Sequence, residues 1–66
     1  MLSSQRLRAL IVTILRQARS PVTPQNLFRS RLLSAADDRK AILVVAEEML
    51  KEGLLKQNEG GLYYLP

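Results

Sequence analysis

The chain has no cysteine and no histidine. Without cysteine, neither a disulfide nor a thiolate metal site can staple a short chain. That lack fits a cytoplasmic setting better than secretion. Without histidine, the commonest general base and a leading metal ligand are missing too. The carboxylates do not fill the gap. Asp37-Asp38 and Glu47-Glu48 are sequence neighbours; on a helix such neighbours point about 100° apart rather than at each other. Gly60-Gly61 lacks the strand–glycine–helix setting of a phosphate loop. No nucleophile–base pair is present, so a non-enzyme is expected, with no cofactor, no metal and no small-molecule substrate. Long apolar runs are missing as well. Nothing approaches the roughly 20 apolar residues that cross a bilayer. Arg6, Arg8 and Arg16 break the N-terminal apolar residues, so no signal peptide and no membrane partner are expected.

Acidic residues are missing from the first half. Residues 1–36 hold Arg6, Arg8, Arg16, Arg19, Arg29 and Arg31 and no acid, a charge of +6. Residues 37–66 hold Arg39, Lys40, Lys51 and Lys56 against Asp37, Asp38, Glu47, Glu48, Glu52 and Glu59, a charge of −2. The net +4 is therefore unevenly placed, and an asymmetric basic surface points to a polyanionic partner. At 66 residues one domain is expected, spanning 1–66. A chain this short buries only about 60% of its unfolded surface, so its stability is marginal. A hydrophobic content of 47% is ordinary for a folded domain.

Hydrophobic periodicity predicts three helices. Leu7, Leu10, Ile11, Ile14, Leu15 and Ala18 form an amphipathic stripe, with Ser3 or Ser4 as N-cap and the helix running from about Gln5 to Ala18. Gln5, Arg8, Val12, Arg16 and Arg19 fall opposite it. Ser20-Pro21 stops this helix, and Val22 reads as a very short strand. Thr23-Pro24 opens the second helix, whose apolar side is Leu27, Phe28 and Leu32. Ser34 and Asp37 have capping-box spacing before a third helix from about Ala35 to Glu52. Its inner face is Ile42, Val45, Ala46, Met49 and Leu50, with Leu43 at the border. Gly53 terminates it. The runs Leu54–Gln57 and Leu62–Leu65 read as a hairpin whose glycine pair supplies positive φ. Tyr63 and Tyr64 alternate, so one is buried and the other exposed.

The segments SPVTPQNLF, DRKAILVVAEEMLKEGLL and EGGLYYLP together resemble the winged helix-turn-helix superfamily, over about Gln5 to Leu65. The resemblance implies an α+β fold: a three-helix bundle, a C-terminal β-hairpin wing, and room for a short third strand near Val22. It implies binding of double-stranded DNA, as a transcription regulator or a replication or mobile-element accessory module. Such a protein is cytoplasmic and associated with the nucleoid. Carried over by position, Lys40, Val44, Glu47 and Lys51 enter the major groove. Arg29 and Arg31 meet phosphates, and Lys56, Gln57 and Asn58 are wing contacts.

The charges set a second reading beside the first. The outward stripe of the third helix, Asp37, Lys40, Val44, Glu47, Glu48 and Lys51, sums to −1. Phosphate neutralisation supplies much of the affinity for DNA, so glutamates on that stripe oppose it. The stronger basic stripe is Arg8, Arg16 and Arg19 on the first helix, an alternative basic surface. The competing expectation is a winged helix that homodimerises or docks a protein partner through Leu43, Val44 and Tyr63, as an accessory domain of a larger helicase, primase or initiator.

Overall fold

The computed structural model describes residues 2–66. Three helices lead into a two-stranded antiparallel sheet: α1 Ser4–Ala18, α2 Pro24–Phe28, α3 Ala36–Lys51, β1 Lys56–Gln57 and β2 Tyr63–Tyr64. Among the described residues no helix is long and apolar enough to cross a membrane.

Each helix boundary has a local cause. Ser3 caps α1, its Oγ accepting the Arg6 N–H at 3.2 Å. Leu7, Ile11 and Leu15 are buried, while Leu10 and Ile14 pack on the core from its margin. Two assignments on this helix change. Ala18 is exposed in the last turn, and Val12, expected outside, is half-buried against the core. Thr23 caps α2, with Oγ1 accepting the Asn26 N–H at 3.0 Å and Pro24 filling a position that has no donor to satisfy.

The predicted apolar side of α2 is largely overturned. Leu27 is fully buried, but Phe28 is 38% and Leu32 52% exposed, and Leu33 occupies the core instead. The reason is length. The helix stops at Phe28, and the chain turns through Ser30, whose Oγ accepts the Leu32 N–H at 3.2 Å. Beyond that stop the helical period no longer decides which side chain faces inward.

The expected capping box also fails to form. Ala35 is the N-cap of α3 and offers no side-chain acceptor. Starting one residue later moves Asp38 to the third helical position, where it is buried and accepts the Leu2 N–H at 2.8 Å. Asp37 and Asp38 still favour the positive end of the helix dipole. At the other end Gly53 adopts φ 79°, with its N–H on the Leu50 carbonyl and the Leu54 N–H on the Met49 carbonyl. This is a Schellman closure, and the φ alone calls for glycine, since an added Cβ meets nothing within 4 Å.

The closure shortens the hairpin. Leu54 and Leu55 both donate back to the Met49 carbonyl, so they turn rather than extend, and strand pairing starts at Lys56. Lys56 faces Tyr64 and Gln57 faces Tyr63. In the loop only Gly61 of the glycine pair takes positive φ, at 81°. The third strand expected near Val22 is a single antiparallel bridge, Val22 to Tyr63, with bonds of 2.9 and 2.8 Å. That bridge seats the hairpin on the helices. Leu55 and Tyr63 join Ile11, Leu27, Ile42 and Met49 in one buried cluster. Leu50, expected inside, is half-buried at its margin.

Candidate nucleic-acid interface

On α3, residues Lys40, Val44 and Lys51 recur at helical spacing on the side opposite Ile42 and Met49, and all three are exposed. Val44 is 60% exposed. Arg29, the C-cap of α2, and Arg31, in the turn after it, are exposed as well. Their segment is fixed to α3 by one side chain. Arg39 Nη1 donates to the Phe28 carbonyl at 2.7 Å and to the Ser30 carbonyl at 3.3 Å, and Nη2 donates to the Leu33 carbonyl at 2.6 Å. The guanidinium reaches the three carbonyls from two nitrogens of a rigid fork, a span that an ammonium's single nitrogen lacks. Sequence reasoning missed Arg39 because DDRK reads as a solvated first turn, and the carbonyls it needs are set by how α2 ends.

Three of the four acids of α3 have partners inside the molecule, as has Glu52 at its C-cap; Asp37 is exposed and has none among the described residues. Arg8 Nη2 lies 2.6 Å from Glu52 and 3.7 Å from Glu48. Glu47 Oε1 accepts the Tyr63 hydroxyl at 3.1 Å. Asp38 is turned inward. Arg8 therefore leaves the basic stripe expected on α1, being half-buried and ion-paired, while Arg16 and Arg19 stay exposed. Among the described residues, Arg8 is the one side chain with a carboxylate within ion-pairing distance; Arg16, Arg19, Arg29, Arg31, Lys40, Lys51 and Lys56 have none.

Tyr63 is 2% exposed, which removes it from the partner surface expected with Leu43 and Val44. The Val22 bridge turns its ring inward, and Tyr64 becomes the exposed tyrosine. Leu43 is half-buried against the core, so Val44 alone of that trio is free. On the hairpin, Lys56 is exposed, whereas Asn58 organises the loop. Its Oδ1 accepts the Gly60 and Leu62 N–H groups, both at 3.0 Å, leaving its amide as the outward donor. Gln57 donates to the Gly61 carbonyl at 3.0 Å.

Burial pushes the Tyr63 phenol up to about 12, assisted by the hydrogen bond to Glu47 and by that carboxylate's charge. A folded pKa above the unfolded one stabilises the protein fully below pH ~10, and that contribution is lost as pH rises through 12. The ring is buried but its hydroxyl meets the exposed Glu47 near solvent, so screening reduces the contribution to about 1 kcal/mol. Urea titrations at pH 8 and near pH 12 should therefore show an alkaline loss that Tyr63→Phe abolishes. An equal loss in the variant would assign it to the lysines instead.

Among the described residues no group of three or more acid, histidine or cysteine side chains could hold a metal. Comparison of the chain with protein-family models, curated proteins and solved structures finds no match.

Proposed function

We propose that the chain is a winged-helix protein that binds double-stranded DNA without catalysing a reaction on it. In this reading α3 lies in the major groove with Lys40, Val44 and Lys51 toward the bases. Arg29 and Arg31 meet the phosphates beside it, and Lys56 on β1 meets those flanking the hairpin. The order of three helices and a hairpin, with a glycine closure between α3 and β1, supports the fold assignment.

One observation carries the functional reading. Two of the three carboxylates on the outward stripe of α3 are engaged within the molecule, Glu48 by Arg8 and Glu47 by Tyr63, while Asp37 is exposed without a partner among the described residues. Lys40, Lys51, Arg29 and Arg31 have no carboxylate within ion-pairing distance among the described residues. A carboxylate in a groove is compatible with DNA where it can accept from a cytosine amino group. The competing partner-docking surface loses Tyr63 to burial and most of Leu43.

The test is fluorescence anisotropy of a labelled mixed-sequence duplex in low salt. Binding at micromolar protein is expected, and no change in anisotropy at any protein concentration would defeat the reading.

A further inference from the structure

A second surface combines a cation with an exposed aromatic ring, and α3 contributes nothing to its lining. The end of α1, the connection to α2 and the hairpin enclose an open groove of about 430 Å3. Arg19 and Pro21 line it from the helical side, and Asn58, Tyr64 and Leu65 from the hairpin side.

Tyr64 is 39% exposed, against 2% for Tyr63. Successive strand residues point to opposite faces, so burying Tyr63 turns the Tyr64 ring outward. Lys56 is the cross-strand partner of Tyr64, and such partners project to the same face. Arg19 ends α1 in the left-handed conformation, φ 57°. It has no carboxylate within ion-pairing distance among the described residues. The Asn58 amide is free to donate, because only its oxygen is used in the loop. No acid lines the groove; Glu59 and Lys56 both lie outside the lining.

An aromatic face and an amide beside the lining cation Arg19, with Lys56 on the same sheet face just outside the lining, match a nucleotide with an accessible base. The ring offers a stacking platform, the cations track phosphate, and the amide meets a base edge. Bases inside a duplex are stacked on each other and present no face to Tyr64. An acidic peptide would use the charges and leave the ring without a flat partner.

We infer that this groove binds single-stranded nucleic acid, stacking an unpaired base on Tyr64 and holding the adjoining phosphates with Arg19 and Lys56. It is a surface separate from the proposed duplex face, with Lys56 as the one residue common to both.

The experiment is titration of a fluorescein-labelled oligothymidylate, with a labelled duplex run in parallel, against the native protein and the Tyr64→Ala, Tyr64→Phe and Arg19→Ala variants. Tyr64→Ala should weaken single-strand binding by about tenfold, the range of one stacked base. Tyr64→Phe keeps the ring and should stay within about twofold. Arg19→Ala should reduce the salt slope for the single strand by about 0.7. Neither alanine variant should move duplex binding more than about twofold, whereas Arg29→Ala with Arg31→Ala should show the converse pattern. Failure of the groove and failure of the α3 face are thus read separately. Circular dichroism matching the native protein establishes that Tyr64→Ala is folded, and Tyr64→Phe tests the ring whatever that variant does. Single-strand affinity untouched by Tyr64→Ala would overturn the inference. So would a Tyr64→Phe as weak as the alanine variant. Displacement of the labelled strand by poly-glutamate as readily as by unlabelled oligothymidylate would reassign the groove to acidic peptides.

Discussion

Arg39→Ala should destabilise the protein by about 3 kcal/mol, more than any other single change at an exposed or half-buried charge. The guanidinium serves three carbonyls, on Phe28, Ser30 and Leu33. Hydrogen bonds to a charged group contribute about 1.5–3 kcal/mol each when buried. The bond to Phe28 is exposed and the one to Ser30 is long at 3.3 Å, so solvent screening brings the three together to about 3 kcal/mol. A chain of this length has a total stability of roughly 3–10 kcal/mol, so the loss removes between about a third and all of it. Arg39→Lys should recover less than about half, since an ammonium cannot span the fork. Urea denaturation of the two variants checks both statements; a loss below about 1 kcal/mol would mean that water replaces the guanidinium at those carbonyls. The same variants bear on binding. Residues 28–33 carry Arg29 and Arg31, and freeing that segment should weaken duplex binding even in the fraction that stays folded.

Raising salt from about 50 to about 200 mM should weaken duplex binding by roughly 500-fold. The figure follows from the proposed contacts. Arg29, Arg31, Lys40, Lys51 and Lys56 are exposed and free of carboxylate partners. Five neutralised phosphates give a log–log slope of about −4.5. Removing Arg29 and Arg31 should cut the slope to about −2.7 and weaken all sequences alike. Anisotropy at several salt concentrations measures both slopes. A slope near zero, or one unaffected by the double substitution, would remove these residues from the interface. Arg8→Ala is the informative companion. As a surface pair it contributes under about 1 kcal/mol to stability. Its loss nevertheless frees Glu48 on α3 and Glu52 at its C-cap, so affinity for DNA should fall although Arg8 itself touches no phosphate. Unchanged affinity in that variant would mean that neutralising these acids is irrelevant to binding.

The backbone plan was largely legible in the sequence. Ser3, Thr23 and Gly53 act where their side chains or lack of one require, because capping and helix closure depend on a few neighbouring residues. The stripe of α1 and the inner face of α3 follow from a 3.6-residue period that long helices preserve. The short pieces were less legible. α2 has five residues, too few for a period to decide that Leu33 enters the core ahead of Phe28 and Leu32. Helix α3 began one residue later than the capping-box spacing indicated, and Asp38 rather than Asp37 gained a structural role.

The candidate sites depended on contacts across long separations. Arg8 finds Glu52 from the other end of the chain, and Tyr63 finds Glu47 sixteen residues earlier. A charge count along one helix face cannot anticipate either, because each acid's effect on a ligand depends on what neutralises it in three dimensions. The sequence by itself determined the helices, the glycine closure, the hairpin and the uneven distribution of charge, since those are properties of near neighbours. Tertiary structure alone decided which charges stay available, which tyrosine is buried and which arginine clamps the backbone. Those outcomes require residues far apart in the chain to meet.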